Sequence, residues 1–313
     1  LKHILKLIYD HFKSHVGLKI AVAFFVLGGM FIGFNYTFDF EDSFVDTEPN
    51  PWLRFVWMFL FQSIPYLATC GLVYAFNLDR TWIRSWKFWT LFVIGFSLLA
   101  IDRSWSLWPM VEGCWPEEEI HFLYRIINKG KGVITIIIPL ALLAMFLEKK
   151  NPTNIFGLAI RNFDARPYFI ILAIGLGCIG FGGFFSDIQE FYPKYSRSYG
   201  GIYADFNGIP EWVAVVMYEI PYGFDFISTE YFFRGFLVIG MYRILGPHAI
   251  LPMVMTYCVL HFGKPMTEAI SSIFGGYILG VIAMHHRNIW GGVIIHVGIA
   301  WGMELVGFIA NRL

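Results

Sequence analysis

The chain has 313 residues, 57% of them apolar and only 15% charged, with zero formal net charge and a mean hydropathy of +0.59. Soluble domains average about 45–50% apolar and about 25% charged residues, so a soluble globular protein is excluded. The balanced charge supplies no field for nucleic acid or for an acidic substrate.

The apolar residues arrive in blocks, several reaching the 18 or so residues needed to cross hydrocarbon as a helix. The first 16 residues instead place Leu1, Ile4, Leu5, Ile8, Tyr9 and Phe12 at helical spacing, with lysines and histidines between them. That pattern predicts a short amphipathic helix on the membrane surface and no cleavable signal peptide. Predicted spans follow at 17–38, 55–76, 88–101, 133–147, 168–185, 212–245, 248–262, 266–284 and 289–310. The fold class is therefore all-α: a polytopic membrane helical bundle of about eight to nine transmembrane helices. Basic residues precede the first span and recur at "DRTWIRSWK", "EKKNPTNIFGLAIRNFDAR" and "MHHRN", whereas "DFEDSFVDTEPNP" and "WPEEEIH" are acidic. The positive-inside rule then predicts a multi-pass protein with a cytoplasmic N-terminus, fitting a bacterial plasma membrane. Cys70, Cys114, Cys178 and Cys258 are too dispersed for a disulfide framework or a C-x-x-C metal site. A composition shift near Pro152–Pro167 divides an aromatic N-terminal region, 1–166, from a region 167–313 richer in glycine and in polar residues within apolar sequence.

Those polar residues carry the chemical signal. An ionisable side chain at mid-membrane costs about 2.5–3.5 kcal/mol or more and needs a partner. Glu219, Asp225, Glu230, Arg234, His261, Glu268, His296 and Glu304 all fall in or near predicted spans of the second region. Glu230 and Arg234 are one helical turn apart and can pair, either as a structural salt bridge or as part of a reactive site. His261 follows a short span and precedes the helix breakers Gly263 and Pro265; His296 lies within "IWGGVIIHVGIAWGMEL". Each histidine alone also fits a structural role. Histidine and glutamate side chains converging between helices would polarise a water.

The strings "TEYFFRGF", "YCVLHFGKP" and "SIFGGYILGVIAMHHRNIWGGVIIHVGIA" resemble the CPBP family of intramembrane proteases, which groups CAAX prenyl endopeptidases with bacteriocin-processing and self-immunity proteins. The family pattern is E-E-x-x-x-R, then F-x-x-x-H, then H-x-x-x-N, and the likeness covers about Trp212 to Glu304, with the motifs in 229–304. It departs at Thr229 in place of the first glutamate, Tyr257 in place of the aromatic Phe, and Ala300 in place of the asparagine. The resemblance implies an endopeptidase that cleaves a membrane-associated or lipidated peptide or protein. The first glutamate and middle histidine would activate a water, and the last histidine and asparagine would steady the oxyanion. Carried over here, Glu230 and His261 become the activating pair, His296 the oxyanion partner, and Arg234 the residue that orients Glu230. Thr229 and Glu304 are auxiliary candidates, the latter as a substitute carboxylate, with Asp225 a third. Two histidines and a glutamate (Glu230, His261, His296) would suit zinc or another divalent metal, although a Glu–His pair can activate water unaided. A catalytically inactive relative serving as an immunity or scaffold protein also fits the departures. A proton-coupled transporter is a third reading, against which no paired halves are visible.

Overall fold

The computed structural model describes residues 1–77, 81–147, 154–160, 163–182 and 186–310, and these are helical with no strand among them. The chain runs through α1 (Lys2–His11), α2 (Gly17–Phe38), α3 (Pro51–Asn77), α4 (Trp86–Ser104), α5 (Trp108–Val111), α6 (Glu117–Gly132) and α7 (Ile138–Leu147). It continues through α8 (Arg166–Gly182), α9 (Ser186–Phe191), α10 (Gly200–Asn207), α11 (Glu211–Glu230) and α12 (Tyr242–Leu245). α13 (Ile250–Val259), α14 (Met266–His286) and α15 (Trp290–Ala310) complete it. The amphipathic N-terminal helix is present as α1, which packs on α14 with Ile4 buried and Lys2 and Lys6 exposed.

Six stretches are long and apolar enough to cross a membrane: Lys2–Phe38, Pro51–Phe76, Glu117–Leu147, Glu211–Val259, Met266–His286 and Trp290–Ala310. This is consistent with a multi-pass integral membrane protein; the expected eight to nine spans are not shown among the described residues. The predicted span 88–101 lies on α4, a 19-residue helix with Lys87 at one end and Asp102 and Arg103 at the other. The span 168–185 is the shorter apolar helix Arg166–Gly180, and its last residues lie outside the described ones, as do Lys149, Lys150 and Pro152 of the basic segment. The spans 212–245 and 248–262 fall within one stretch from Glu211 to Val259.

The chain forms two compact units that interleave along the sequence: Leu1–Trp105, Thr135–Phe163 and Glu230–Gly291 make the first, and Ser106–Ile134, Asp164–Thr229 and Gly292–Leu313 the second. In the first unit α13 is buried at every position from Ile250 to Val259, because α3, α14 and the helix Tyr231–Gly240 all pack on it. Apolar side chains on all sides are what a helix surrounded by others requires. Its ten residues rise only ~15 Å, half of a bilayer's hydrocarbon. The turn that follows is stabilised by its own hydrogen bonds, His261 N–H to Cys258 O at 2.9 Å and Phe262 N–H to Val259 O at 3.1 Å. Non-helical backbone within a membrane is tolerated only where protein covers it, and His261 and Phe262 are buried.

In the second unit, Phe122, Tyr195, Ala204, Ala214, Tyr218, Tyr222 and Ala300 form a buried cluster. α15 lies close against α8 through a small-xxx-small pair. A methyl group on Gly298 or Gly302 would come within 2.5 Å of Leu172 or 2.4 Å of Leu176.

Candidate active site

Glu230 is the last residue of α11, and the next ten residues, Tyr231–Gly240, continue the helix in the wider π geometry, closed by Met241 N–H to Phe236 O at 3.0 Å. π turns inside helices recur at functional positions. All ten of these residues are buried, so Arg234 enters a dry environment. Glu230 Oε1 lies 2.9 Å from Arg234 Nη1, and both side chains are 0% exposed. A guanidinium so placed needs every partner it can find, and Arg234 also sits 4.2 Å above the Tyr257 ring. Tyr257 in turn meets the His261 ring edge-on, their centroids 4.7 Å apart. Side-chain contacts thus run unbroken from Glu230 through Arg234 and Tyr257 to His261, joining the first motif to the second within one unit.

The His261 Nδ1 lies 2.8 Å from the Tyr257 carbonyl oxygen, one turn back. A carbonyl can only accept, so Nδ1 carries the proton of the neutral ring and Nε2 keeps its lone pair. That tautomer is the one a general base needs.

His296 belongs to the second unit, where its ring lies 4.3 Å from Phe226. Thr229 and Asp225 are in the same unit; the Thr229 hydroxyl faces the Asp225 carbonyl at 3.4 Å, and Asp225 pairs with Lys129 at 3.3 Å. Ala300 packs into the aromatic cluster, where an asparagine amide would be hard to satisfy. Glu304 is 2% exposed and accepts hydrogen bonds from the backbone N–H groups of Lys194 at 2.8 Å and Tyr195 at 3.2 Å. It ties a short helical turn, Lys194–Arg197, to α15, and both of its oxygens are engaged there. Among the described residues no three His, Cys, Asp or Glu side chains are grouped as metal ligands would be.

The structure adds residues from the end of α2 and from the acidic loop that follows it. The Tyr36 hydroxyl donates to Lys264 O at 2.7 Å, clamping the turn that carries His261. Glu41 is 1% exposed; its N–H is bound by Asn35 Oδ1 at 3.0 Å, and its carboxylate meets Arg103 at 3.3 Å. A Cβ on Gly263 would lie 3.2 Å from Asp42 Oδ1 and 3.7 Å from Glu41 Oε2, so the absence of a side chain there lets both carboxylates approach the turn. Burial pushes the Glu41 carboxyl up to about 7, against the opposing pull of Arg103. The only hint in the sequence was that "FEDSF" mixes acids with aromatic residues.

Comparison with known families bears on the same helices. Residues 211–302 match the family model of the Rce1-like type II CAAX prenyl endopeptidases. This stretch is similar to that family. The matched segment starts at the first residue of α11 and ends within α15, so it includes Glu230, Arg234, His261 and His296. The match implies a protease kind of function. No curated protein and no solved structure matches the chain.

Proposed function

We propose that the protein is an intramembrane endopeptidase that hydrolyses a peptide bond of a membrane-associated or lipidated protein or peptide. The observation that carries this reading is the buried path from Glu230 through Arg234 and Tyr257 to His261, with the His261 tautomer fixed by the Tyr257 carbonyl. Arg234 holds the Glu230 carboxylate in one orientation. Glu230 and the His261 Nε2 take a proton from water, and the hydroxide adds to the scissile carbonyl. The family resemblance gives His296 the part of oxyanion donor. The retained proton passes to the departing amine, so no net proton is consumed within the site. In this reading the basic N-terminal segment faces the cytoplasm.

The test uses purified protein in detergent with a panel of quenched-fluorescent lipidated and unlipidated peptides. Cleavage that disappears in Glu230→Ala and in His261→Ala, and that survives chelators, supports the mechanism. Cleavage unchanged in both variants removes it. A second reading, an inactive relative that holds a membrane partner, is favoured by the burial of Ala300 and by Thr229 at the first-glutamate position. Absence of cleavage across the panel, together with a co-purifying membrane protein that depends on Arg234, would select that reading.

A further inference from the structure

Residues 211–302 match the family, yet the turn that carries His261 is approached by a residue far outside them, Glu41. α2 ends at Asp39 in the left-handed region, φ +49°, and the chain continues into a short π turn, Glu41–Val45. That turn is fixed at both ends. Asn35 Oδ1 accepts the Glu41 N–H at 3.0 Å, Asp46 N–H reaches Glu41 O at 2.9 Å, and Val45 is fully buried. The Glu41 side chain is thereby carried inward, while its neighbours Asp42 and Ser43 stay exposed.

Two elements receive that side chain. Arg103 of α4 lies 3.3 Å from Oε1, and the N–H of Gly263, two residues beyond His261, faces the carboxylate. Glycine is what allows the approach, since a Cβ there would crowd Asp42 at 3.2 Å and meet Glu41 Oε2 at 3.7 Å. The same turn is tied back to α13 through the His261 N–H, closed by Lys264 N–H to His261 O at 3.1 Å, and gripped by the Tyr36 hydroxyl at Lys264 O. All of these groups belong to the first unit. Glu41 is the anchor whose charge changes near neutral pH.

Resting on the reading of His261 as general base, we propose that Glu41 is a positioning residue: its ionised carboxylate holds the Gly263 N–H and so fixes the turn that aims the imidazole. The catalytic machinery then extends beyond the matched segment into the N-terminal region. The charged groups around Glu41 are Arg103 from α4, Asp42 and Asp46 from its own segment and, across Tyr36 of α2, the paired Lys264 and Glu268. Burial opposes ionisation, Arg103 favours it, and Asp46 and Asp42 oppose it again, which leaves the carboxyl at about 7. Hydrogen bonds to a charged acceptor are roughly twice as strong as those between neutral groups. The hold on the turn therefore weakens as pH falls through 7.

The test compares the full-length protein and Glu41→Gln in detergent, with the quenched-fluorescent peptides, from about pH 5.5 to about pH 8.5. The amide keeps the shape and an acceptor for the Gly263 N–H but cannot ionise. At the alkaline end kcat should fall about tenfold, less than the hundredfold that a misplacement of ~1 Å can cost, with KM within about twofold. At the acid end the two proteins should converge, because Glu41 of the wild type is then protonated too. Glu41→Gln should be no less stable than wild type at the alkaline end, since it removes a buried charge; a purely structural residue would lose stability and activity together. Gly263→Ala, which crowds the carboxylates and leaves their charge in place, should lower kcat in the same direction. A second readout needs no cleavage: in ¹⁵N-histidine spectra of the full chain in micelles, the His261 signal, assigned by its loss in His261→Ala, should show an inflection near pH 7 that Glu41→Gln removes. A chain that cleaves nothing but shows this inflection removes the protease reading and leaves Glu41 holding the turn. Equal kcat at the alkaline end, a ratio of kcat values constant with pH, or the same His261 titration in both proteins overturns the proposal.

Discussion

Replacing Glu230 with glutamine tests whether the buried pair is a compensated charge. The substitution keeps shape and volume but leaves the Arg234 guanidinium at 0% exposure without its carboxylate. Removing one partner of a buried ion pair costs about 3–5 kcal/mol, because the surviving charge remains desolvated. The Tyr257 face, 4.2 Å away, continues to attract the guanidinium and recovers about 2 kcal/mol at most when desolvated. Since that contact is present before and after the change, the expected loss stays near 3 kcal/mol. The double variant Glu230→Gln/Arg234→Met removes both charges and fills similar volume, so it should recover most of the loss and completes a double-mutant cycle. The assay is reversible unfolding in mixed micelles, followed by far-ultraviolet circular dichroism. A single-variant loss below about 1 kcal/mol, or strict additivity of the two substitutions, would refute the reasoning.

Three other outcomes follow from named contacts. Glu41 has a folded-state carboxyl raised from 4.5 to about 7, so its stability contribution is complete below pH 4.5 and is lost as pH rises towards 7. That shift corresponds to a loss of about 3 kcal/mol, and Glu41→Gln should flatten this part of the stability–pH curve; an unchanged slope counts against it. Glu304→Ala strands the N–H groups of Lys194 and Tyr195, and should cost about 2–3 kcal/mol and open the 194–197 turn to amide exchange. Unaltered exchange there would show that Glu304 is not the staple. Gly302→Leu forces a side chain into the place of Leu176 and should destabilise by about 1–3 kcal/mol or more, measured in the same micelle assay. Tolerance without loss would mean that α15 does not pack this closely on α8.

The membrane class, the helical fold and the Glu230–Arg234 pair were legible in the sequence, because each depends on local quantities. Apolar run length sets what can cross hydrocarbon, and a spacing of four residues sets what can share a helix face. The span count was less legible: α4 is apolar between charged ends, and the predicted spans 212–245 and 248–262 fall together in the stretch from Glu211 to Val259, which runs through several successive helices. Run length alone does not say which apolar segment lies among other helices and which faces lipid.

Contacts between residues distant in sequence were out of reach. That Arg234 lies over Tyr257, that Tyr36 and Glu41 hold the turn bearing His261, and that Glu304 serves two backbone N–H groups more than a hundred residues away are decisions of packing. The sequence alone determined that Glu230 and Arg234 would be buried in apolar surroundings, though not that Glu41 would. Only the tertiary structure decided how each is compensated, because desolvation follows from composition, whereas a compensating partner must be brought within a few ångströms by the fold.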